Sequence, residues 1–242
     1  MLLTSHFPFK PLLWSFILLC SMVIADVQLL TDNMINWVAE KYGESARQRT
    51  EQWRDLLQQQ VTADYRKLQL VNEFFNQVPY REDYEHWDRK DYWATPLEVL
   101  GTNAADCEDY AIAKYFSLRE LGVSAEKLRI TYVNALEINQ AHMVLAYYQT
   151  PASIPLILDN LIPDIQKADE RKDLKPVYSF NAEGLWLAAN RGSGERIGNS
   201  GKINLWTELR EKMQKELEAS SPIKLPNKTP KTTYLNKPIM SQ

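Results

Sequence analysis

Residues 101–122, GTNAADCEDYAIAKYFSLRELG, decide how the rest of the chain is read. A run of helix formers begins after Asp106 and stops at Gly122, with acids crowded into its first turn, where a helix N-terminus favours negative charge. Cys107 stands at that start. The helix end lowers a thiol's pKa, whereas Asp106, Glu108 and Asp109 oppose its ionisation. At about 100° per residue, the three acids project at roughly 0°, 200° and 300° and the thiol at roughly 100°, so on average the carboxylates point away from the sulfur. Such acids are either ordinary first-turn charges or ligands of a bound cation. Spacing leaves both readings open; under the second, three oxygen donors beside a residue that must ionise would suit a hard ion, Ca²⁺ rather than Zn²⁺.

On the C-terminal side of this helix the pattern changes period. LRITYVNA (128–135), HMVLAYY (142–148) and LILD (156–159) are short, apolar and β-branched, and PVYSFNAEGLWLA (176–188) adds a further hairpin. On the N-terminal side, residues 28–43 and 45–60 read as amphipathic helices divided by Gly43, and a third runs from about Thr62 to before Pro79. Residues 80–101, YREDYEHWDRKDYWATPLEVLG, read as an aromatic and charged connection, with His86 a surface loop residue. The glycine-rich stretch 190–201 lacks phosphate-loop spacing and is given no nucleotide role. LWTELREKMQKELEA (205–219) is a last helix. Helices first and an antiparallel sheet after them make an α+β fold, with the Cys107 helix packed on the sheet.

The ends differ from the body. Residues 1–25 combine one lysine with the apolar run PLLWSFILLCSMVIA and end in a small residue, the pattern of a cleaved secretory signal peptide. That run is shorter than the roughly 20 residues a membrane-spanning helix needs. A lipoprotein reading at Cys20 is weakened by the bulky Leu19 before it. Residues 219–242 carry four lysines and no acid and read as a disordered tail. With a formal charge of −3 overall, the body 26–218 therefore stands at about −8, which argues against nucleic-acid binding. Loss of the signal leaves Cys107 as the one cysteine, in an oxidising compartment where pairing is the norm. Such a thiol is either buried and inert or kept for its reactivity.

A nucleophilic cysteine needs a base and a group to orient that base. His142 opens one predicted strand and Asp159 closes the next, 35 and 17 residues further along in turn, so antiparallel pairing would set them side by side. Cysteine at a helix start with histidine and aspartate on following strands is the order of papain-like and transglutaminase-like enzymes. The blocks DYWATPLEVLG, DCEDYAIAKY, AHMVLAYY and LDN, in this order over roughly residues 30–210, resemble the bacterial transglutaminase-like cysteine proteinases. The resemblance implies a Cys107–His142–Asp159 triad and a calcium site on the acids around the cysteine, carried over to Asp106, Glu108 and Asp109. It also implies a periplasmic endopeptidase that cuts a large surface adhesin near its N-terminus at a di-alanine site. The implied regulator is an inner-membrane cyclic-di-GMP receptor whose periplasmic domain sequesters the enzyme. Two rival functions share these residues: a transglutaminase or amidase using an amine acceptor, and a non-catalytic binding module.

Overall fold

The computed structural model describes residues 30–187 and 194–221. The expected signal peptide, nearly all of the lysine-rich tail and part of the glycine-rich stretch lie outside these residues. Among the described residues, no helix is long and apolar enough to cross a membrane.

Two helices, α1 (Asp32–Tyr42) and α2 (Glu44–Leu57), are divided at Gly43, whose φ of 91° needs a residue without Cβ. Thr31 caps α1 by accepting the Met34 N–H. Helix α3 (Asp64–Phe75) places Leu68, Val71 and Phe75 in the core. The aromatic connection holds two further helices that the sequence reading passed over: α4 (Asp83–Trp87) and α5 (Pro96–Thr102). Helix α5 starts with a capping box, Thr95 and Glu98 exchanging backbone N–H bonds around Pro96, and Gly101 belongs to its last turn instead of closing a loop. His86 is correspondingly a half-buried residue of α4, its ring edge-on to Trp87.

Helix α6 (Cys107–Glu120) carries Tyr110, Ile112, Ala113 and Leu118 into the main core and ends ahead of Gly122, which has φ 81°. It packs on the seven-stranded antiparallel sheet, chiefly on β2 (Gln140–Tyr147) and also on β1 (Leu128–Ala135). The remaining strands are β3 (Leu156–Leu158), β4 (Gln166–Lys167), β5 (Leu174–Phe180), β6 (Leu185–Leu187) and β7 (Arg196–Gly198), in spatial order β4-β3-β2-β1-β5-β6-β7. Strands β4 and β7, too short to show a period, were not expected. Along β2, Met143, Leu145 and Tyr147 join the helix-side core, while Val144 and Ala146 join a smaller cluster with Val133 and Ile157. That alternation is what a sheet with two different faces requires. Helix α7 (Asn204–Ala219) closes the helical layer, with Trp206 stacked on Phe116 and edge-on to Phe180. The result is the expected α+β architecture, with the cysteine helix laid on an antiparallel sheet.

Candidate active site

Register brings two of the expected residues together. Leu145 pairs with Leu158, so the residue after β3 falls level with Val144, two residues from His142 along β2. There the His142 ring and the Asp159 carboxylate meet, Nε2 to Oδ1 at 2.7 Å, both side chains essentially withdrawn from water. Asp159 also accepts the Asn160 and Leu161 N–H groups at 2.7 and 3.1 Å and the Arg171 guanidinium at 2.6 Å. Burial alone would raise its pKa. The His142, Arg171 and backbone donors outweigh that and hold it at about 2. An ionised carboxylate only accepts, so His142 Nε2 carries the proton and Nδ1 is left as the free, basic nitrogen.

The Asp159 backbone is held as firmly. Its carbonyl accepts Asn76 Nδ2 at 2.9 Å and Lys114 Nζ at 3.2 Å, and Asn76 Oδ1 takes a second Lys114 proton at 2.7 Å. Lys114 is fully buried on α6, and burial draws its pKa down to about 7. The helix that begins with the cysteine thus reaches the aspartate from its middle.

Cys107 is the first residue of α6, half-buried and not in a disulfide. Its thiol bonds to Glu108 Oε2 at 2.9 Å, not to the imidazole. The helical-wheel expectation that the acids on average point away from the sulfur therefore does not describe Glu108. A glutamate has enough rotatable bonds to bring its carboxylate back over the preceding residue, and a wheel records only where Cβ points. Burial, then the Glu108 and Asp106 carboxylates, push the thiol well above its ordinary range, while the Met143 N–H, next to His142 on β2, works in the opposite direction.

The acids form a nest larger than the sequence suggested. Asp83 from α4 lies with Asp106 and Asp109, all three buried. Asp83 also lies with Asp91 and Glu108. In each group one oxygen per residue falls within 4.8 Å of the others. So the three expected ligands are divided between two groups that share Asp83. Asp109 is committed elsewhere: Oδ1 accepts the Ala94 N–H at 2.6 Å and Oδ2 the Asp106 N–H at 3.4 Å. By contrast Asp106 Oδ1 and Asp83 Oδ1 are buried without a donor. Burial, then the Asp109, Glu108 and Asp83 charges, push Asp106 up to about 11. Glu108, Asp109 and Asp83 are raised as well, each first by burial. Orphaned oxygens, mutual repulsion and an all-oxygen donor set fit a hard divalent cation.

Sequence reasoning missed Asp83, Asp91 and Arg171. The first two lie in EDYEHWDRKD, which reads as part of an aromatic and charged connection. Arg171 lies in a polar stretch without period, and only the fold brings it to Asp159.

The chain as a whole has counterparts among known proteins. Residues 31–182 match the family described as bacterial transglutaminase-like cysteine proteinase. LapG of Legionella pneumophila, solved after EGTA treatment, shares 44% identity over 76% of this chain and 98% of its own, with a TM-score of 0.67. Its calcium-bound form is likewise 44% identical, over 76% and 99% of the two chains, with a TM-score of 0.65. Among curated proteins, no significant match was found. On a family match that spans most of its length, and a fold shared with LapG, this chain belongs to the bacterial transglutaminase-like cysteine proteinases.

Proposed function

We propose that this proteinase is a calcium-dependent periplasmic endopeptidase that cuts the N-terminal region of a large surface adhesin at a di-alanine site, so releasing it and controlling attachment. The observation that carries the reading is the buried His142–Asp159 pair, which leaves Nδ1 as the basic nitrogen, together with a free cysteine at the start of the helix packed on His142's strand. In the reaction His142 Nδ1 takes the thiol proton, and the Cys107 thiolate attacks the peptide carbonyl. The imidazolium then protonates the leaving amine, a thioester remains on Cys107, and water activated by His142 hydrolyses it and restores the thiol. Asp159 keeps the tautomer and supports the imidazolium. The Cys107 N–H, at a helix start, is suited to stabilise the oxyanion.

Asp106 and Glu108, with Asp83 and Asp91 beside them, would hold the calcium ion, and Asp109 would brace Asp106 or join the ligands. Bound there, the ion supplies positive charge next to a residue that has to become an anion. Glu108, which now bonds the thiol, is the one ligand candidate that also touches the nucleophile. The apolar run before residue 26 supports export through a cleaved signal peptide. The inhibitory partner would be the periplasmic domain of an inner-membrane cyclic-di-GMP receptor.

The test is to incubate envelope proteins with the wild type and with Cys107→Ala, with and without calcium, and read new N-termini by mass spectrometry. New termini within Ala-Ala pairs of one large surface protein, seen only with the wild type in calcium, are expected. Cleavage by Cys107→Ala would sink the assignment. A labelled amine built into glutamine side chains, without new termini, would replace it with a transglutaminase.

A further inference from the structure

Arg171, in the connection between β4 and β5, is aimed at Asp159 from the side opposite His142. Its Nη2 donates to Asp159 Oδ2 at 2.6 Å, while Oδ1 of the same carboxylate takes the imidazole proton. Each oxygen of Asp159 therefore has its own charged or ionisable partner. Arg171 is itself pinned: Asp173 Oδ1 accepts Nε at 3.0 Å, and Asp173 Oδ2 accepts Nη2 at 2.7 Å. The Arg171 side chain is 1% exposed, so the chain has buried a guanidinium to serve these two acids.

We propose that Arg171, locked by Asp173, is a positioning residue of the catalytic site, which sets the rotation of Asp159 and keeps it an anion so that His142 presents Nδ1. The inference rests on the peptidase reading above and deepens it. Two physical points carry it. A buried carboxylate with one oxygen unpaired becomes neutral or turns to find a donor. Either response releases the imidazole, because a protonated or rotated Asp159 no longer fixes the proton on Nε2. Besides the Asn160 and Leu161 N–H groups, which both bond Oδ1, the groups facing Asp159 are His142 on β2, Lys114 on α6, Asn76 just past α3, and Arg171 with Asp173 on the β4–β5 connection. Lys114 and Asn76 hold only the backbone carbonyl. Among the described residues, Arg171 is therefore the one group that charge-pairs the side chain away from the histidine.

The test uses full-length mature protein in calcium and a fluorogenic peptide spanning an Ala-Ala pair. Arg171→Gln is expected to lower kcat by on the order of 10²-fold with KM little changed, since Arg171 lies behind Asp159. Its acid-side limb should move to higher pH by about one unit or more, as Asp159 regains an ordinary acidity. Arg171→Lys should recover part of the rate. Asp173→Asn, which leaves the guanidinium in place but loosens it, should give a smaller loss in the same direction and serves if Arg171→Gln does not fold. The ¹⁵N-edited ring spectrum of His142 supplies a readout independent of any substrate: the Nε2–H proton bonded to Asp159 should shift or broaden in Arg171→Gln. A ring spectrum and pH profile like the wild type's, with any rate loss tracking a lowered Tm, would overturn the positioning role and leave the peptidase reading standing. A changed ring spectrum with Cys107→Ala still active would instead remove the peptidase reading while keeping the Arg171–Asp159 linkage.

Discussion

Asp159 and Asp106 are both aspartates withdrawn from water, 1% and 8% exposed, yet one is held at about 2 and the other pushed up to about 11. The difference is not depth. Asp159 faces an imidazole, a guanidinium and two backbone N–H groups. Asp106 faces other carboxylates and keeps one buried oxygen without a donor. The fold has made one anion permanent and left the other in need of a proton or a cation. Under the proposed mechanism the permanent anion orders the base, while the unsatisfied one controls the nucleophile's surroundings through a removable ion.

Asp159→Asn attacks the satisfied side and should produce the largest effect. The amide keeps the volume but loses the charge, and peptide cleavage should fall on the order of 10³- to 10⁴-fold, as expected when a histidine loses its orienting carboxylate. Arg171 would be left half-paired, so stability should drop by about 3 kcal/mol in urea titrations. The sign with pH is fixed. A carboxylate held at about 2, below its usual range, contributes stability that is complete above its unfolded pKa of about 4 and vanishes as pH falls through the folded value. The gap between wild type and variant should therefore be widest near neutral pH and close on acidification. A gap that widened in acid would contradict the assignment.

Asp106→Asn attacks the unsatisfied side and should reverse the sign. Without calcium, the wild type carries a carboxyl that burial and its neighbours push up, so the folded state keeps a proton that the unfolded chain gives up and stability falls as pH rises above about 4. EGTA should accordingly lower the wild-type Tm, more at pH 8 than at pH 5.5, and calcium should remove that slope. Removing the charge should make Asp106→Asn at least as stable as wild type in EGTA, by about 1 kcal/mol, yet blind to added calcium and poorly active. If calcium raises the Tm of Asp106→Asn as much as that of wild type, the ion sits elsewhere.

The comparison also shows what was legible before the structure. The strands other than β4 and β7, the helix starting at Cys107 and the adjacency of His142 with Asp159 follow from local apolar period and from antiparallel pairing of successive strands. The direction of Glu108 did not follow, because it depends on side-chain rotation beyond Cβ. Asp83, Asp91 and Arg171 were hidden for another reason: each sits in a charge-rich stretch without period, and the expected site residue it meets (Asp106 for Asp83, Glu108 for Asp91, Asp159 for Arg171) is 12 or more residues away in sequence. Helix α5 was missed although TPLE is a capping signature, because the aromatic and charged residues before it dominated the reading.

Glu216 supplies an intermediate case and the smallest predicted effect. This buried carboxyl of α7 accepts the Thr95 hydroxyl at 2.7 Å, and burial raises its pKa to about 7 against that one donor. Thr95 also caps α5 through the Glu98 N–H at 3.1 Å, so one hydroxyl joins α5 to α7. Thr95→Ala should cost about 1 to 2 kcal/mol, the value of a cap together with a buried hydrogen bond, and leave kcat/KM unchanged at saturating calcium. The loss should depend on pH. The hydroxyl favours the ionised form, so its removal raises the folded pKa of Glu216 further above its unfolded value of about 4.3. Below pH 4 both states are protonated and only the capping loss is felt. Above pH 7 the wild type has met its full ionisation penalty while the variant meets a larger one. Denaturation at pH 5 and pH 8 separates the two contributions: equal losses would leave Thr95 a cap alone, whereas a larger loss at pH 8 places Glu216 between the two aspartates, with one donor where Asp159 has four and Asp106 Oδ1 has none.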